Sequence, residues 1–303
     1  MKFRKILYLL IMIGFIYGGY RYINYKNSTT YKLKDVGYSN EEIKIIDEKL
    51  DNSKVDHLLQ SEYNNKVAQI INAKYFIEDK LEAYLNYQKE NSEHSTDDVI
   101  SIVNAGADKD FYTDVKKADT SKGYLILVNK FYELDKNFTF DDIVPISLQH
   151  AYSGRSIRKE VLDKFIDMWQ DAQKLDLSLI VSSGYRDYNL QESLYTDYSN
   201  IYGQEEADTF SARPGYSEHQ TGLALDIAAY GSSIDDFEKT KEYEWLKDNA
   251  HHYGFILRYP INKTHITGYD FEPWHYRYVG KEVAKEIYEL DITFDEYYEL
   301  FIK

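Results

Sequence analysis

The sequence predicts an α+β protein with a small, mostly antiparallel sheet, preceded by a helical region and a membrane anchor. The first observation below predicts the fold class, and the other two indicate a globular chain with one or two domains. Apolar runs with strand and helix periods are mixed after residue 106 without a regular βαβ repeat. Hydrophobic residues make up 43 % of the 303-residue chain and charged residues 29 %, which is typical of globular proteins. The length allows one large or two modest domains.

Composition and charge exclude several classes of function. The chain has no cysteine, which rules out a disulfide framework, a thiol nucleophile and cysteine-ligated zinc. Any metal must therefore be held by histidine and carboxylate side chains. The net charge of −15 argues against nucleic acid as a partner, because phosphate binding needs a basic face.

Residues 1–27 predict a signal-anchor. This segment contains five basic residues and no acidic one, so the remaining 276 residues carry a net charge of −20. A basic start, MKFRK, is followed by an apolar run over residues 6–20, and no small-residue cleavage site follows it. The positive-inside rule then places the rest of the chain outside the cytoplasmic membrane. The alternative is a cleaved signal peptide, which also implies export.

Residues 28–110 predict a helical spacer or recognition region. Residues 28–36 are expected to form a short polar tether. Ser39 followed by Glu42 indicates a capping box that opens a helix. Apolar residues at helical spacing recur from 39 to 105 without proline or glycine, which predicts three to five short helices.

Residues 111–303 predict the α+β domain. Strands are expected at 123–129, 177–183, 223–228, 255–258 and 274–279. Helices are expected at 158–175, 190–202, 243–253 and 281–290. The strand at 177–183 leads directly into Gly184 and the first of three polar motifs.

These three motifs carry the candidate chemistry: SSGYRDYNLQ (182–191), SEHQTGLALDI (217–227) and FEPWHYRYVG (271–280). The second contains His219 and Asp226, and the third contains Glu272 and His275. An extended chain would direct Glu272 and His275 to opposite faces, so their convergence requires a bend at Pro273. Two imidazoles, a ligating carboxylate and a spare carboxylate are the components of a catalytic zinc site. Spacing alone is also compatible with structural turns.

Together, the motifs resemble the VanY-type D-alanyl-D-alanine carboxypeptidases, whose family includes L,D-carboxypeptidases of cell-wall tetrapeptides. The family signature is SxHxxGxAxD followed by ExWH. The matching residues here are Ser217, His219, Gly222, Ala224, Asp226, Glu272, Trp274 and His275. The resemblance covers residues 114–279 and implies the zinc D-Ala-D-Ala peptidase and hedgehog-like fold, with residues 111–303 as the zinc carboxypeptidase domain.

The resemblance also implies roles for individual residues. It makes His219, Asp226 and His275 the ligands of one zinc ion. Glu272 corresponds to the catalytic base, and Arg186 to an arginine that binds substrate and stabilises the transition state. Other residues expected at the substrate are Gln191, Ser217 and Trp274, with Ser182 and Ser183 as further candidates.

The function implied by the resemblance is removal of the C-terminal D-alanine from peptidoglycan stem peptides. The signal-anchor predicted at residues 1–27 is expected to hold this enzyme at the cell membrane. Three alternatives stay open: an L,D-carboxypeptidase acting on tetrapeptides, a peptidoglycan endopeptidase, and a non-enzymatic wall-binding protein. The complete set of candidate ligands and base argues against the last, since wall binding alone does not need it.

Overall fold

The computed structural model describes residues 2–303, with the side chains of residues 12–303. The chain divides into two compact units, Met1–Val103 and Asn104–Lys303. The boundary between them lies seven residues before the end of the predicted spacer at residue 110.

The predicted signal-anchor falls on helix α1 (Lys2–Lys26). Part of its apolar run, at residues 6–11, has side chains outside the described residues. Within the part of the chain that the structure describes, no helix combines the length and apolar character needed to cross a membrane.

The first unit continues as a series of short helices, the last of which ends two residues beyond the boundary of the unit. Their bounds are α2 (Thr29–Val36), α3 (Asn40–Lys49), α4 (Asn52–Gln60), α5 (Val67–Ile71), α6 (Leu81–Glu90) and α7 (Thr96–Ala105). The prediction of short helices over 39–105 is therefore confirmed. The capping box is also present: the Glu42 N–H donates to the Ser39 hydroxyl (3.3 Å), and the Ser39 N–H donates to the Glu42 carboxylate (2.8 Å).

The predicted polar tether at 28–36 is wrong, because most of it forms α2. The Ser28 hydroxyl accepts a hydrogen bond from the Tyr31 N–H (3.2 Å) and caps the helix. Leu33 is fully buried in the hydrophobic core of this unit. This helix has a cap and a buried apolar residue, which the polar composition of the segment does not reveal.

The second unit combines seven helices with eight short strands among the described residues. The helices are α8 (Lys159–Gln173), α9 (Tyr188–Tyr202), α10 (Gln204–Phe210), α11 (Lys241–Asn249), α12 (Thr264–Thr267), α13 (Lys281–Leu290) and α14 (Phe294–Tyr297). The strands are β1 (Lys116–Lys117), β2 (Tyr132–Glu133), β3 (Ile143–Pro145), β4 (Ser156–Arg158), β5 (Leu179–Ser183), β6 (Ala224–Ala229), β7 (Phe255–Leu257) and β8 (His275–Tyr278).

The main sheet has four strands in the order β5-β6-β8-β7, and every neighbouring pair is antiparallel. This confirms the predicted small antiparallel sheet and the α+β class. Helix α8 contributes Val161, Phe165, Met168 and Ala172 to the core beneath this sheet, because these residues share one helical face.

The strand predicted at 123–129 is wrong. Residues Thr120–Leu125 form a 3₁₀ segment that is kinked at Gly123, where φ is +62°. The carbonyl groups of Tyr124 and Ile126 accept hydrogen bonds from the buried guanidinium of Arg277, at 3.0 and 2.7 Å. A distant side chain therefore takes the backbone acceptors that a sheet partner would otherwise use.

Candidate metal and catalytic site

The two central strands of the sheet bring two candidate ligands together. Asp226 on β6 lies directly opposite His275, the first residue of β8. Along β6, Leu225 and Ile227 belong to the hydrophobic core, as does Tyr276 on β8. Because strand side chains alternate between faces, Asp226 and His275 both project from the other face of the sheet.

The third candidate ligand, His219, lies in a short 3₁₀ turn, Glu218–Thr221, just before β6. Gly222 ends this turn with φ of +63°, and its N–H donates to the His219 carbonyl (3.1 Å). A Cβ at Gly222 would lie 2.6 Å from the Ile143 side chain. The glycine in the motif therefore serves both the left-handed conformation and the close packing.

Glu272 reaches the same place through the bend that the sequence required. Residues 273–274 form a turn, and the His275 N–H donates to the Glu272 carbonyl (3.2 Å). The Glu272 N–H is held by the Tyr259 carbonyl at 3.1 Å. Glu272 Oε2 consequently lies 3.4 Å from His275 Nδ1, so the two side chains converge despite their spacing.

His219, Asp226 and His275 form a compact buried group that can hold a metal ion. One ligand atom from each lies within 4.8 Å of the others. Asp226 Oδ1 is 3.4 Å from His219 Nε2 and 3.3 Å from His275 Nδ1. These distances bring three donor atoms around one point, which suits a tetrahedral ion with one open position.

Hydrogen bonding leaves the required donor atoms available. His219 Nδ1 lies 2.7 Å from the Gly184 carbonyl, so Nδ1 carries the proton and Nε2 has a free lone pair. His219 Nε2 and Asp226 Oδ1 are both buried without a hydrogen-bond partner among the described residues. Unpaired buried polar atoms are costly, and a bound cation would satisfy both.

Electrostatic coupling within the group favours an ionised aspartate. Burial raises the pKa of Asp226, but the two neighbouring imidazoles outweigh burial and hold it well below its usual value. Burial lowers the pKa of His219, and Arg186 lowers it further. For His275, burial lowers the pKa, but Asp226 and Glu218 overcome burial and raise it to about 9 in the metal-free protein.

The environment of Glu272 is suited to proton transfer near neutral pH. Burial raises the pKa of its carboxyl group to about 7, and the charge of Asp226 acts in the same direction. The positive charges of His275 and Arg186 oppose this rise. A general base with a pKa near the working pH is the most effective one.

A cavity of about 470 Å³ opens onto this group. Among the sequence-predicted residues, Arg186, Ser217 and Trp274 line it together with Glu272 and the three candidate ligands. Arg186 follows β5. Its backbone N–H donates to the His219 carbonyl (3.2 Å) and holds this loop beside the candidate ligands. Its Nε is buried without a hydrogen-bond partner among the described residues.

Gln191, Ser182 and Ser183 are not among the residues that line the cavity. The Gln191 amide is buried and donates to the carbonyl group of Ala212 (2.7 Å), which lines the cavity. The Ser182 hydroxyl donates to the Asp226 carbonyl (3.1 Å).

Sequence reasoning missed several residues of the site. The cavity is also lined by Tyr198, Tyr202, Phe210, Ile234, Asp235, Tyr259 and Tyr269. Glu218, inside the second motif, is buried with Oε2 3.5 Å from His275 Nε2. Its position in the motif, between Ser217 and His219, was the sequence feature that could have indicated a role in the site. No periodicity indicated that this carboxylate points inward.

Comparison with known proteins gives a consistent result. The family model VanY, described as D-alanyl-D-alanine carboxypeptidase, matches residues 154–281. The D-alanyl-D-alanine carboxypeptidase of Enterococcus faecium is 35 % identical over 237 residues, which cover 75 % of this chain and 72 % of that protein.

Two solved structures are similar as well. The LdcB LD-carboxypeptidase is 39 % identical with a TM-score of 0.58, over 62 % of this chain and 91 % of that chain. VanYB in complex with D-alanine-D-alanine is 35 % identical with a TM-score of 0.51, over 59 % of this chain and 99 % of that chain.

Proposed function

The chain belongs to the VanY family of zinc-dependent D-alanyl-D-alanine carboxypeptidases, and we propose that it removes the C-terminal D-alanine from peptidoglycan stem peptides. The observation that carries this proposal is the convergence of His219, Asp226, His275 and Glu272 at one buried point beside a cavity. The substrate follows from the family and from the dipeptide bound by the similar VanYB structure.

We propose that one zinc ion is bound by His219 through Nε2, Asp226 through a carboxylate oxygen, and His275 through Nδ1. Two neutral imidazoles and one carboxylate leave a formal charge of about +1 on the site. When bound, zinc polarises the scissile carbonyl group and acidifies a water molecule.

Glu272 acts on the proton in this scheme. Its carboxylate lies beside the candidate ligands, where it accepts a proton from the attacking water and then donates it to the leaving amine of D-alanine. In the metal-free protein, burial raises the pKa of this carboxyl group to about 7.

Arg186 provides the positive charge on the cavity wall. Its guanidinium group can bind a peptide carboxylate or stabilise the oxyanion that forms during attack. Ser217 and Trp274 are proposed to contact the substrate from the same cavity, and Gln191 to hold the wall at Ala212.

Zinc affinity is expected to rise with pH, by about tenfold per pH unit between pH 6 and 8. The metal-free protein holds a proton on His275 up to a pKa of about 9, and zinc must displace it. Chelator competition across this range measures the slope of zinc affinity against pH. Calorimetry in buffers of different ionisation enthalpy measures the number of protons released when zinc binds. Replacing the exposed His252 with asparagine should leave the slope unchanged, and a flat profile for the parent protein would contradict the assignment of His275.

The proposed function is tested by product analysis. Purified protein is incubated with a stem pentapeptide and with the matching tetrapeptide, with and without a zinc chelator, and the products are identified by mass spectrometry. Release of one D-alanine from the pentapeptide, abolished by chelation, supports the proposal. Release of D-alanine from the tetrapeptide alone would indicate an L,D-carboxypeptidase. This is the second candidate function, and the similarity to the LdcB LD-carboxypeptidase favours it. Internal cleavage of cross-linked wall would indicate an endopeptidase, and zinc binding without hydrolysis a wall-binding protein.

We also propose that residues 1–27 hold the enzyme at the cytoplasmic membrane, with the catalytic domain outside the cell. The support is the basic start and the apolar run at residues 6–20. Fractionation of cells that express the full chain, followed by mass measurement of the recovered protein, tests this. Full-length protein in the membrane fraction supports an anchor, a shortened protein in the medium or wall indicates a cleaved signal, and cytosolic full-length protein contradicts both.

A further inference from the structure

Behind the candidate metal site lies a buried network of four charged side chains. Arg258 and Arg277 are the two largest side chains in the described core, and both donate to Glu218 Oε1, at 2.8 and 2.7 Å. Arg258 also donates to Asp295 on α14, which in turn accepts from Asn129 (2.7 Å). Two positive and two negative charges therefore balance in the interior.

This network occupies only one oxygen of Glu218. Oε2 is buried and has no hydrogen-bond partner among the described residues. It lies 3.5 Å from His275 Nε2, while the other ring nitrogen of His275 faces Asp226 and Glu272. Since Arg277 and His275 project from the same face of β8, the strand itself directs both side chains towards Glu218.

We propose that Glu218 is a positioning residue: it accepts the Nε2–H of His275, so that His275 Nδ1 is kept free and aimed at the metal. This inference rests on the proposed function, because it takes His275 as a zinc ligand. The two arginines keep the Glu218 carboxylate in place by binding its other oxygen. Outer carboxylates that orient a ligating histidine in this way fix the tautomer and strengthen metal binding.

The network also connects the C-terminal segment to Glu218. Asp295 lies on α14, near the end of the chain, and reaches Glu218 through Arg258. Glu218 therefore links the metal ligand His275 to an element that the zinc motifs do not include. Glu218 lies next to His275, whereas Asp295 is connected to His275 only through Arg258 and Glu218.

Two isosteric variants test this inference. Glu218→Gln is expected to lower zinc affinity by about 10- to 100-fold and to change the visible spectrum of the cobalt-substituted protein. Asp295→Asn removes a carboxylate from the same network without touching His275, so zinc affinity should change by less than about twofold. Both variants are expected to lower the thermal stability of the metal-free protein, so stability alone does not separate them.

The outcomes separate this inference from the proposed function. If the parent protein binds no zinc in the competition assay, the proposed function fails. If the parent binds zinc but Glu218→Gln binds it equally well, or Asp295→Asn weakens binding to the same extent, the positioning role is overturned.

A measurement on the parent protein applies even if Glu218→Gln does not fold. In the zinc-loaded protein, ¹⁵N NMR of the imidazole rings should show His275 protonated at Nε2 and His219 protonated at Nδ1. A proton on His275 Nδ1 would overturn the inference, because zinc would then use the nitrogen that faces Glu218.

Discussion

Replacing Glu272 with glutamine is expected to leave zinc bound and to lower kcat by about 10²- to 10⁴-fold, the usual contribution of general acid–base catalysis. The amide has nearly the shape of the carboxylate, so the turn at residues 273–274 and the backbone bond to Tyr259 stay intact. What is lost is the ability to accept a proton from water and return it to the leaving amine.

The physical reason lies in the setting of Glu272. Its carboxylate is buried beside His275, with Oε2 3.4 Å from Nδ1, and faces the cavity. A carboxyl group can both take and release a proton, and burial raises the pKa of this one to about 7 in the metal-free protein. An amide in the same place cannot do either.

Steady-state kinetics with a stem peptide, together with zinc content by elemental analysis, checks this prediction. Glu282→Gln makes the same chemical change at an exposed position on α13 and serves as the matched control. Near-parental turnover by Glu272→Gln, with full zinc occupancy, would show that another group moves the proton.

The sequence could predict the ligand set because its parts are local. His219, Asp226 and His275 sit in short motifs in which a glycine turn or strand alternation fixes the side-chain direction within a few residues. The bend at Pro273 was also predictable, since Glu272 and His275 cannot converge on an extended chain. The antiparallel pairing of β6 with β8 then completes the site.

Features that depend on long-range contacts could not be predicted. The apolar run at 123–129 favours a strand, but two of its carbonyl groups accept hydrogen bonds from Arg277, more than 150 positions later, and not from a neighbouring strand. The burial of Glu218 also depends on long-range contacts, because Arg258 and Arg277 donate to its carboxylate from other elements. No local pattern contains that information, because a charged residue is by default expected at the surface.

The buried group also shows which ligand matters most. Asp226 Oδ1 lies close to both imidazoles, 3.4 Å from His219 Nε2 and 3.3 Å from His275 Nδ1. It supplies the only negative charge among the three proposed ligands. Without that charge, two neutral imidazoles face an ion of formal charge +2, and the attraction that compensates for burying the cation is lost.

Asp226→Asn is therefore expected to lower zinc affinity by more than the roughly 100-fold limit for losing an outer hydrogen bond, and to abolish activity at trace zinc. Chelator competition measures the affinity, and kinetics in the presence of excess zinc measure how much activity returns. Asp197→Asn, at an exposed position on α9, is the matched control.

The decisive result is the order of the zinc affinities of these variants. A ligand contributes directly to the bound ion and an orienting carboxylate only through His275, so Asp226→Asn must weaken zinc binding more than Glu218→Gln does. Equal affinities for these two variants would mean that Asp226 is not a ligand and that its buried charge serves the two histidines alone. Parental affinity in Asp226→Asn would remove the aspartate from the metal site altogether.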